Sequence, residues 1–153
     1  MTTIAWDGRT LAGDRRGNAG GMAYELGKLR RTADGRLLDF SGDIGVGMLM
    51  LDWLEAVPPG GGPRPPQQDT DRWATVLEIT PDGACWCHGR DSRWRIEQPF
   101  FAIGSGRDFA LAAMACGRSA AEAVDLAAWF DTGTGNGVDA LALAEAPALR
   151  VAA

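Results

Sequence analysis

A single histidine, a single tyrosine and three cysteines are spread through 153 residues, which leaves little material for a metal centre. A structural zinc site asks for an ordered set of four ligands, and the densest candidate cluster is Cys85, Cys87 and His88. Cys85 and Cys87 stand two apart in an expected strand, so their side chains share one face. They read as free thiols, and neither a metal nor a cofactor is expected. An odd cysteine count with no secretory leader speaks against a disulfide framework and for a reducing, cytoplasmic compartment. Asp7 and Arg9 interrupt any apolar stretch at the start, as a leader would not tolerate. Nor does any apolar run approach the roughly 20 residues of a membrane span. Acidic side chains outnumber basic ones, for a net charge of −5, so the electrostatic footprint of a nucleic-acid binder is missing. Arg15-Arg16 and Arg30-Arg31 are too short to supply it and read as solvated faces or ion-pair partners.

With 46% hydrophobic residues, the chain is expected to form one domain over 1–153 around a sizeable core. Asp7-Gly8 between Thr3–Trp6 and Arg9–Gly13 is a hairpin signal. Ala33-Asp34-Gly35 marks a second turn, joining a strand over Lys28–Thr32 to one over Arg36–Ser41. A helix is expected from Asp43 through Leu54, with Ile44, Met48, Leu51 and Trp53 among its apolar positions. Asp43 in its first turn suits the positive end of the helix dipole. The Pro/Gly-rich stretch from Pro58 to Pro66, within a loop over 57–71, cannot be regular structure. Strands over Trp73–Thr80 and Ala84–His88 flank the turn Pro81-Asp82-Gly83. Phe100–Ile103 reads as a buried strand leading into Gly104-Ser105-Gly106. Helices over Arg107–Cys116 and Ser119–Phe130 follow, the second opened by the capping box Ser119-Ala120-Ala121-Glu122. Strands near Val138–Leu143 and Leu149–Ala152 close the chain. Strands, helix, strands, helices, without a sustained βαβ alternation, argue for an α+β layered sandwich. The six tryptophans are expected mostly in the core or at interfaces, filling the gap between layers.

The first residues carry the chemical signal. Thr2 and Thr3 follow Met1 directly, and Thr is small enough for an aminopeptidase to remove the methionine before it. Thr2 would then hold a hydroxyl nucleophile and, two bonds away, a free α-amine able to act as its base, a recognised way of activating a weak hydroxyl. Taken singly, the other polar residues have plainer explanations. Lys28 and Asp14 read as a surface ion pair, Gly42 as a turn glycine, Ser105 as a helix N-cap, and Asp131 with Thr134 as a helix-ending loop.

Taken in order, these segments resemble the proteasome β-subunit and HslV peptidase family of N-terminal nucleophile hydrolases, over nearly the whole chain. Thr2-Thr3-Ile4 is similar to the mature N-terminus of that family, and Leu11-Ala12-Gly13-Asp14-Arg15-Arg16 to the strand whose aspartate faces the nucleophile. Gly27-Lys28-Leu29-Arg30-Arg31 resembles the segment with the catalytic lysine. Phe40-Ser41-Gly42-Asp43, fourteen residues beyond Lys28 at Gly42, resembles the turn whose glycine amide forms the oxyanion hole. Gly104-Ser105-Gly106 and Asp131-Thr132-Gly133-Thr134-Gly135 are similar to the elements that contact the terminal amine.

The resemblance implies a four-layer αββα sandwich of two antiparallel sheets and a threonine endopeptidase with Thr2, Asp14, Lys28, Gly42, Ser105, Asp131 and Thr134 as its catalytic set. Thr2 Oγ would attack a peptide carbonyl while the terminal amine takes its proton. That amine has a reference pKa near ~8, and the cationic Lys28 beside it would favour the neutral base. Asp14 would fix the lysine. Ser105, Asp131 and Thr134 would orient the amine, and the Gly42 N–H would meet the oxyanion. Leu26, Phe40, Ile44 and Met48 map to the substrate pocket, which would prefer an apolar side chain. A peptide or unfolded protein is the implied substrate, a homo-oligomer the implied assembly, and an unfoldase ATPase the implied partner.

The chain departs from that family in one place. The stretch from Pro58 to Gln68 occupies the position of the second long helix, so part of one sheet face is expected to lie bare unless the loop or a partner covers it. Ring assembly and ATPase docking are left open by this, and a smaller oligomer fits, with Trp53 and the apolar edge of the first helix as contact candidates. If Met1 is retained, the Thr2 amine is locked in an amide. The chain would then be a catalytically silent structural or assembly subunit. A non-proteolytic amidase of the same superfamily is the third alternative, and intact mass separates the first two.

Overall fold

In the computed structural model, which describes residues 1–60, 62, 66, 68, 69 and 71–144, alternation of apolar side chains builds two sheets. The hairpin of β1 (Thr3–Trp6) and β2 (Thr10–Asp14) forms at Asp7-Gly8. The Asp7 carboxylate holds the turn by accepting from the Arg9 and Thr10 amides at 2.9 and 2.8 Å. A second, exposed hairpin follows, β3 (Arg16–Ala19) and β4 (Met22–Glu25). Then come β5 (Arg30–Arg31), β6 (Leu37–Gly42), helix α1 (Ile44–Ala56), β7 (Ala74–Ile79), β8 (Cys85–His88), β9 (Arg93–Ile96) and β10 (Phe101–Gly104). Helices α2 (Arg107–Ala115) and α3 (Ala120–Ala127) and strand β11 (Val138–Ala142) complete the described elements. One sheet has the order β10-β1-β2-β11 and the other β5-β6-β7-β8-β9, with antiparallel pairing throughout.

Three apolar clusters define four layers. Ile4, Trp6, Leu11 and Ile103 of the first sheet meet Leu37, Leu77, Ile79, Cys85 and Cys87 of the second. The period of two puts the neighbouring residues on the outer faces. There Ala5, Ala12 and Ala102 present almost no side chain, so α2 and α3 settle directly on the first sheet through Ala110, Ala113, Ala120, Ala123 and Val124. On the other side, Leu38, Phe40, Ala74 and Val76 receive Met50, Leu51 and Leu54 of α1. The result is the αββα sandwich expected from the sequence, with α1 the only helix on its side among the described residues. Asp43 caps α1 by accepting from the Val46 amide at 2.9 Å. Ser119 and Glu122 form the expected capping box on α3, and the Ala120 amide there also donates to Asp7 at 2.8 Å.

The outer face beside α1 is not bare. Glu78, fully buried, accepts from Arg36 Nη1 at 2.8 Å, from His88 Nε2 at 3.0 Å and from the Gly60 amide at 3.0 Å. Arg36 Nη2 donates to the Val57 carbonyl at 2.9 Å, and Trp53 meets the His88 ring edge-on. The first residues of the Pro/Gly stretch are therefore pinned onto the sheet by a buried ionic cluster, where the second helix was expected to be missed. His88 points away from Cys85 and Cys87, which face the opposite sheet, so the three do not converge. Among the described residues there is no group of three or more His, Cys, Asp or Glu placed to hold a metal ion.

Several expectations need correcting. The β3–β4 hairpin and β9 were not anticipated. The Lys28–Thr32 strand shrinks to Arg30–Arg31, and α3 stops at Ala127 rather than Phe130. Of the six tryptophans, Trp6 is buried and Trp53 and Trp86 are half-buried, while Trp73, Trp94 and Trp129 are 46%, 45% and 76% exposed on the single chain, as interface positions would also be. Trp73 and Trp94 line an open cavity, and Trp129 lies past the last turn of α3. The strand expected over Leu149–Ala152 lies outside the described residues. Among those residues no helix is long and apolar enough to cross a membrane.

Candidate active site

Thr2 is 1% exposed and sits immediately before β1. Antiparallel pairing of β1 with β2 sets Ile4 opposite Gly13, which brings Asp14, at the end of β2, beside the N-terminus. The Thr2 hydroxyl donates to Asp14 Oδ1 and accepts from Lys28 Nζ. Lys28 closes the triangle by donating to Asp14 Oδ1 at 3.0 Å and spends its third hydrogen on the Arg16 carbonyl at 3.3 Å. The Asp14 carboxylate also accepts from the amides of Thr3 (3.2 Å), Arg16 (3.3 Å) and Gly135 (3.0 Å). A buried carboxylate with this many donors is one the fold has fully satisfied. The lysine–aspartate pair is almost inaccessible, at 3% and 1% side-chain exposure, so it is no surface ion pair.

A second cluster holds the other atom of Thr2. Its backbone N–H donates to Ser105 Oγ at 3.2 Å, and Ser105 donates to Asp131 Oδ2 at 2.7 Å. Thr134 donates to the same carboxylate oxygen at 2.6 Å and receives the Thr3 hydroxyl at 2.6 Å. Burial acts to raise the Asp131 pKa, but hydrogen bonds from Thr134, Ser105 and the Gly133 amide outweigh it and hold the carboxyl below its ordinary range. Small residues make the approach possible. A Cβ on Gly104, whose φ is +98°, would fall 2.1 Å from the Thr2 carbonyl oxygen, and one on Gly106 would fall 2.1 Å from Thr3 Oγ1.

Two cavities meet here, sharing Met1 and Gly42. The smaller, of about 100 Å³, has Thr2, Lys28, Arg16, Phe40 and Ile44 in its walls. The larger, of about 1140 Å³, opens on the Ser105 side. Of the residues expected in the substrate pocket, Phe40 and Ile44 border the smaller cavity, whereas Leu26 and Met48 do not. The Leu26 amide is tied to the Arg15 carbonyl at 2.7 Å, and the Met48 sulfur accepts from Arg30 at 3.5 Å while its chain, on α1, packs against the apolar cluster between that helix and its sheet. Gly17 and Asn18 of β3 stand there instead.

Solved structures match the chain over almost its whole length. Thiobacillus denitrificans BPH superimposes with a TM-score of 0.69 at 21% identity, covering 95% of this chain and 98% of that one. The same protein in complex with epoxomicin gives 0.67 at 22%, covering 94% and 99%. HslV from Trypanosoma brucei gives 0.70 at 19%, covering 94% and 100%. The chain has the HslV fold. Sequence comparison alone does not reach it, since no protein-family model and no curated protein matches.

Within this HslV-type fold, two residues near Thr2 escaped the sequence reading. Arg16 donates to Asn136 Oδ1 at 2.8 Å and to the Thr132 carbonyl at 2.6 Å, lacing the Asp131–Gly137 loop to the start of β3. It stood within the quoted Asp14 segment, but nothing local says how far its side chain reaches. The other is Asp39, an inward position of β6. Its Oδ1 accepts from the Phe40 amide at 2.8 Å, while Oδ2 is buried without a partner, pressed where a Cβ on Gly13 would be. Burial pushes its pKa up to about 7, against the pull of Lys28 and with a small push from Asp14 and Asp139. The folded protein thus keeps a proton that the unfolded chain releases near pH ~4. That contribution is complete below the unfolded value and is lost as pH rises through about 7. Asp39→Asn should flatten this dependence, so that its melting temperature gains on the wild type between pH 5 and 8. Parallel melting curves for the two proteins across that range would contradict the assignment.

Proposed function

We propose that the chain is a threonine-type endopeptidase of the proteasome/HslV kind whose nucleophile is Thr2, exposed by loss of Met1. The observation that carries this is the buried triangle of Thr2 Oγ1, Lys28 Nζ and Asp14 Oδ1 at the mouth of two cavities. Such a triangle does nothing for folding that an apolar trio would not do as well.

In the Met1-free enzyme the Thr2 nitrogen is an amine held by Ser105. It takes the hydroxyl proton as Thr2 Oγ bonds to the substrate carbonyl carbon, and Lys28 stabilises the oxygen as charge builds on it. The Gly42 amide receives the carbonyl oxygen, a donor of a kind worth ~2.7–4 kcal/mol when lost. Collapse breaks the C–N bond, and the leaving nitrogen takes the proton stored on the amine. The acyl ester on Thr2 is then hydrolysed by water along the same path. Because Thr2 and Thr3 are buried, aminopeptidase removal of Met1 precedes closure of the fold. Unfolded peptide chains are the substrate class. Further copies of this chain are the natural cover for the exposed aromatic patch of Phe109, Trp129 and Phe130, and an unfoldase ATPase is the partner such a peptidase would use in the cytoplasm.

The test is intact mass followed by epoxomicin, the compound found on the Thiobacillus protein. A purified chain short of one methionine that gains one inhibitor mass, while Thr2→Ala gains none, is the expected result. Complete retention of Met1 with no adduct would instead establish a silent scaffold.

A further inference from the structure

The two cavities flanking Thr2 are unequal, and the difference bears on which substrates are cut. With Met1 still in its wall, the smaller measures about 100 Å³. The larger has more than ten times that volume, about 1140 Å³. Proton traffic says which half of the substrate goes where. The leaving nitrogen must take its proton from the Thr2 amine, and Ser105, which holds that nitrogen, borders the larger cavity and not the smaller. Lys28, which faces the hydroxyl, borders the smaller cavity alone.

The larger cavity is built for apolar bulk. Trp73 and Trp94 project into it while remaining nearly half exposed, with Phe101, Ile103 and Leu111 behind them. Most charged groups at its rim are already engaged. Arg90 pairs with Asp91 at 2.8 Å, Arg107 donates to the Gly104 carbonyl at 3.0 Å, and Asp43 accepts from Arg72 at 3.2 Å. Asp71 stands exposed at the outer edge and repels a further carboxylate. The Trp94 ring is held rather than free. Its outer atoms lie 3.0 and 3.1 Å from the place of a Cβ on Gly89, so the ring rests on bare backbone in the turn closed by Gly89 N–H to Ser92 O at 2.8 Å. A rigid aromatic wall loses little conformational freedom when a ligand stacks on it.

We propose that this cavity receives the leaving-group half of the peptide and selects a large aromatic or aliphatic residue directly after the scissile bond, with Trp94 and Trp73 as the specificity-determining residues. The proposal rests on Thr2 being the nucleophile. It also separates the enzyme from an amidase of small amides, which would leave such a cavity unused.

The test uses Met1-free protein and internally quenched peptides with one acyl half and Phe, Leu, Gly or Asp after the scissile bond. The expected kcat/KM is about tenfold or more higher for Phe and Leu than for Gly, the range an apolar pocket commonly supplies, with Asp lowest. Trp94→Ala should bring the Phe-to-Gly ratio close to one, and Trp73→Ala should lower it as a second, independent variant. A peptide aldehyde, which ends at the carbonyl and offers nothing to the leaving side, serves as the control. Its inhibition constant should be the same for the wild type and both variants. Aldehyde inhibition with equal turnover of all four peptides overturns the cavity assignment and leaves Thr2 chemistry intact. Failure of the aldehyde itself overturns the Thr2 reading. An aldehyde constant that weakens in step with the Phe peptide in Trp94→Ala would show that Trp94 acts through the fold, and it too overturns the assignment.

Discussion

Lys28→Met should yield a folded, Met1-free protein whose peptide cleavage falls on the order of a thousandfold or more, the scale of a lost proton-transfer or charge-stabilising group. Lys28 places its three hydrogens on Thr2 Oγ1, Asp14 Oδ1 and the Arg16 carbonyl. Methionine fills a similar volume but supplies no positive charge where the attacking oxygen develops a negative one. Stability should fall as well, because removing one partner of a buried pair leaves the other charge uncompensated, typically at ~3–5 kcal/mol. The lower end applies here. Asp14 keeps the Thr2 hydroxyl and the amides of Thr3, Arg16 and Gly135. Steady-state kinetics and urea unfolding on one preparation separate the two effects. A Lys28→Met enzyme within tenfold of the wild type would remove Lys28 from the chemistry altogether.

The second large effect lies on the outer face of the other sheet, in β7. Glu78→Ala is expected to cost about 3–5 kcal/mol, a large share of the ~5–15 kcal/mol that holds a typical domain together. Burial pushes the Glu78 pKa up, but hydrogen bonds from His88 and Arg36 outweigh it and keep the carboxyl below its ordinary value. Truncation would strand the Arg36 guanidinium, 2% exposed, with Asp34 and the Val57 carbonyl as its remaining partners. It would also free the Gly60 amide that holds the first residues of the Pro/Gly stretch to the sheet. The paired variant Arg36→Met/Glu78→Met should recover much of the loss, since an apolar pair of similar volume needs no compensation. Denaturant midpoints decide it. If Glu78→Ala and wild type unfold at the same urea concentration, the cluster does not anchor that face.

Much of the architecture was readable from period and punctuation. The Asp7-Gly8, Ala33-Asp34-Gly35 and Pro81-Asp82-Gly83 turns all close hairpins where expected, because turn chemistry is local and needs no distant partner. The β3–β4 hairpin was equally local. Gly20-Gly21, both with positive φ, is a two-residue connection of the favoured kind, but its exposed strands carry no apolar alternation to announce them. The Glu78, Arg36 and His88 cluster gave no signal either. Glu78 and His88 occupy strand positions where the apolar pattern merely lapses, Arg36 stands just before β6, and only the pairing of β6, β7 and β8 brings the three together. The site was legible as an order of motifs, not as a geometry. Leu26 and Met48 show the limit: both fell at matching positions, yet neither borders the cavity beside Lys28.

Composition, turn residues and the order of short segments thus set which strands and helices form and which polar side chains lie at their ends, since those preferences act within a few bonds. Which of those ends touch was decided by the pairing of β10 with β1 and β1 with β2 and by the stacking of the two sheets. Contacts between residues about a hundred positions apart, such as Thr2 with Ser105, depend on cooperative burial of the whole core, which no local segment encodes.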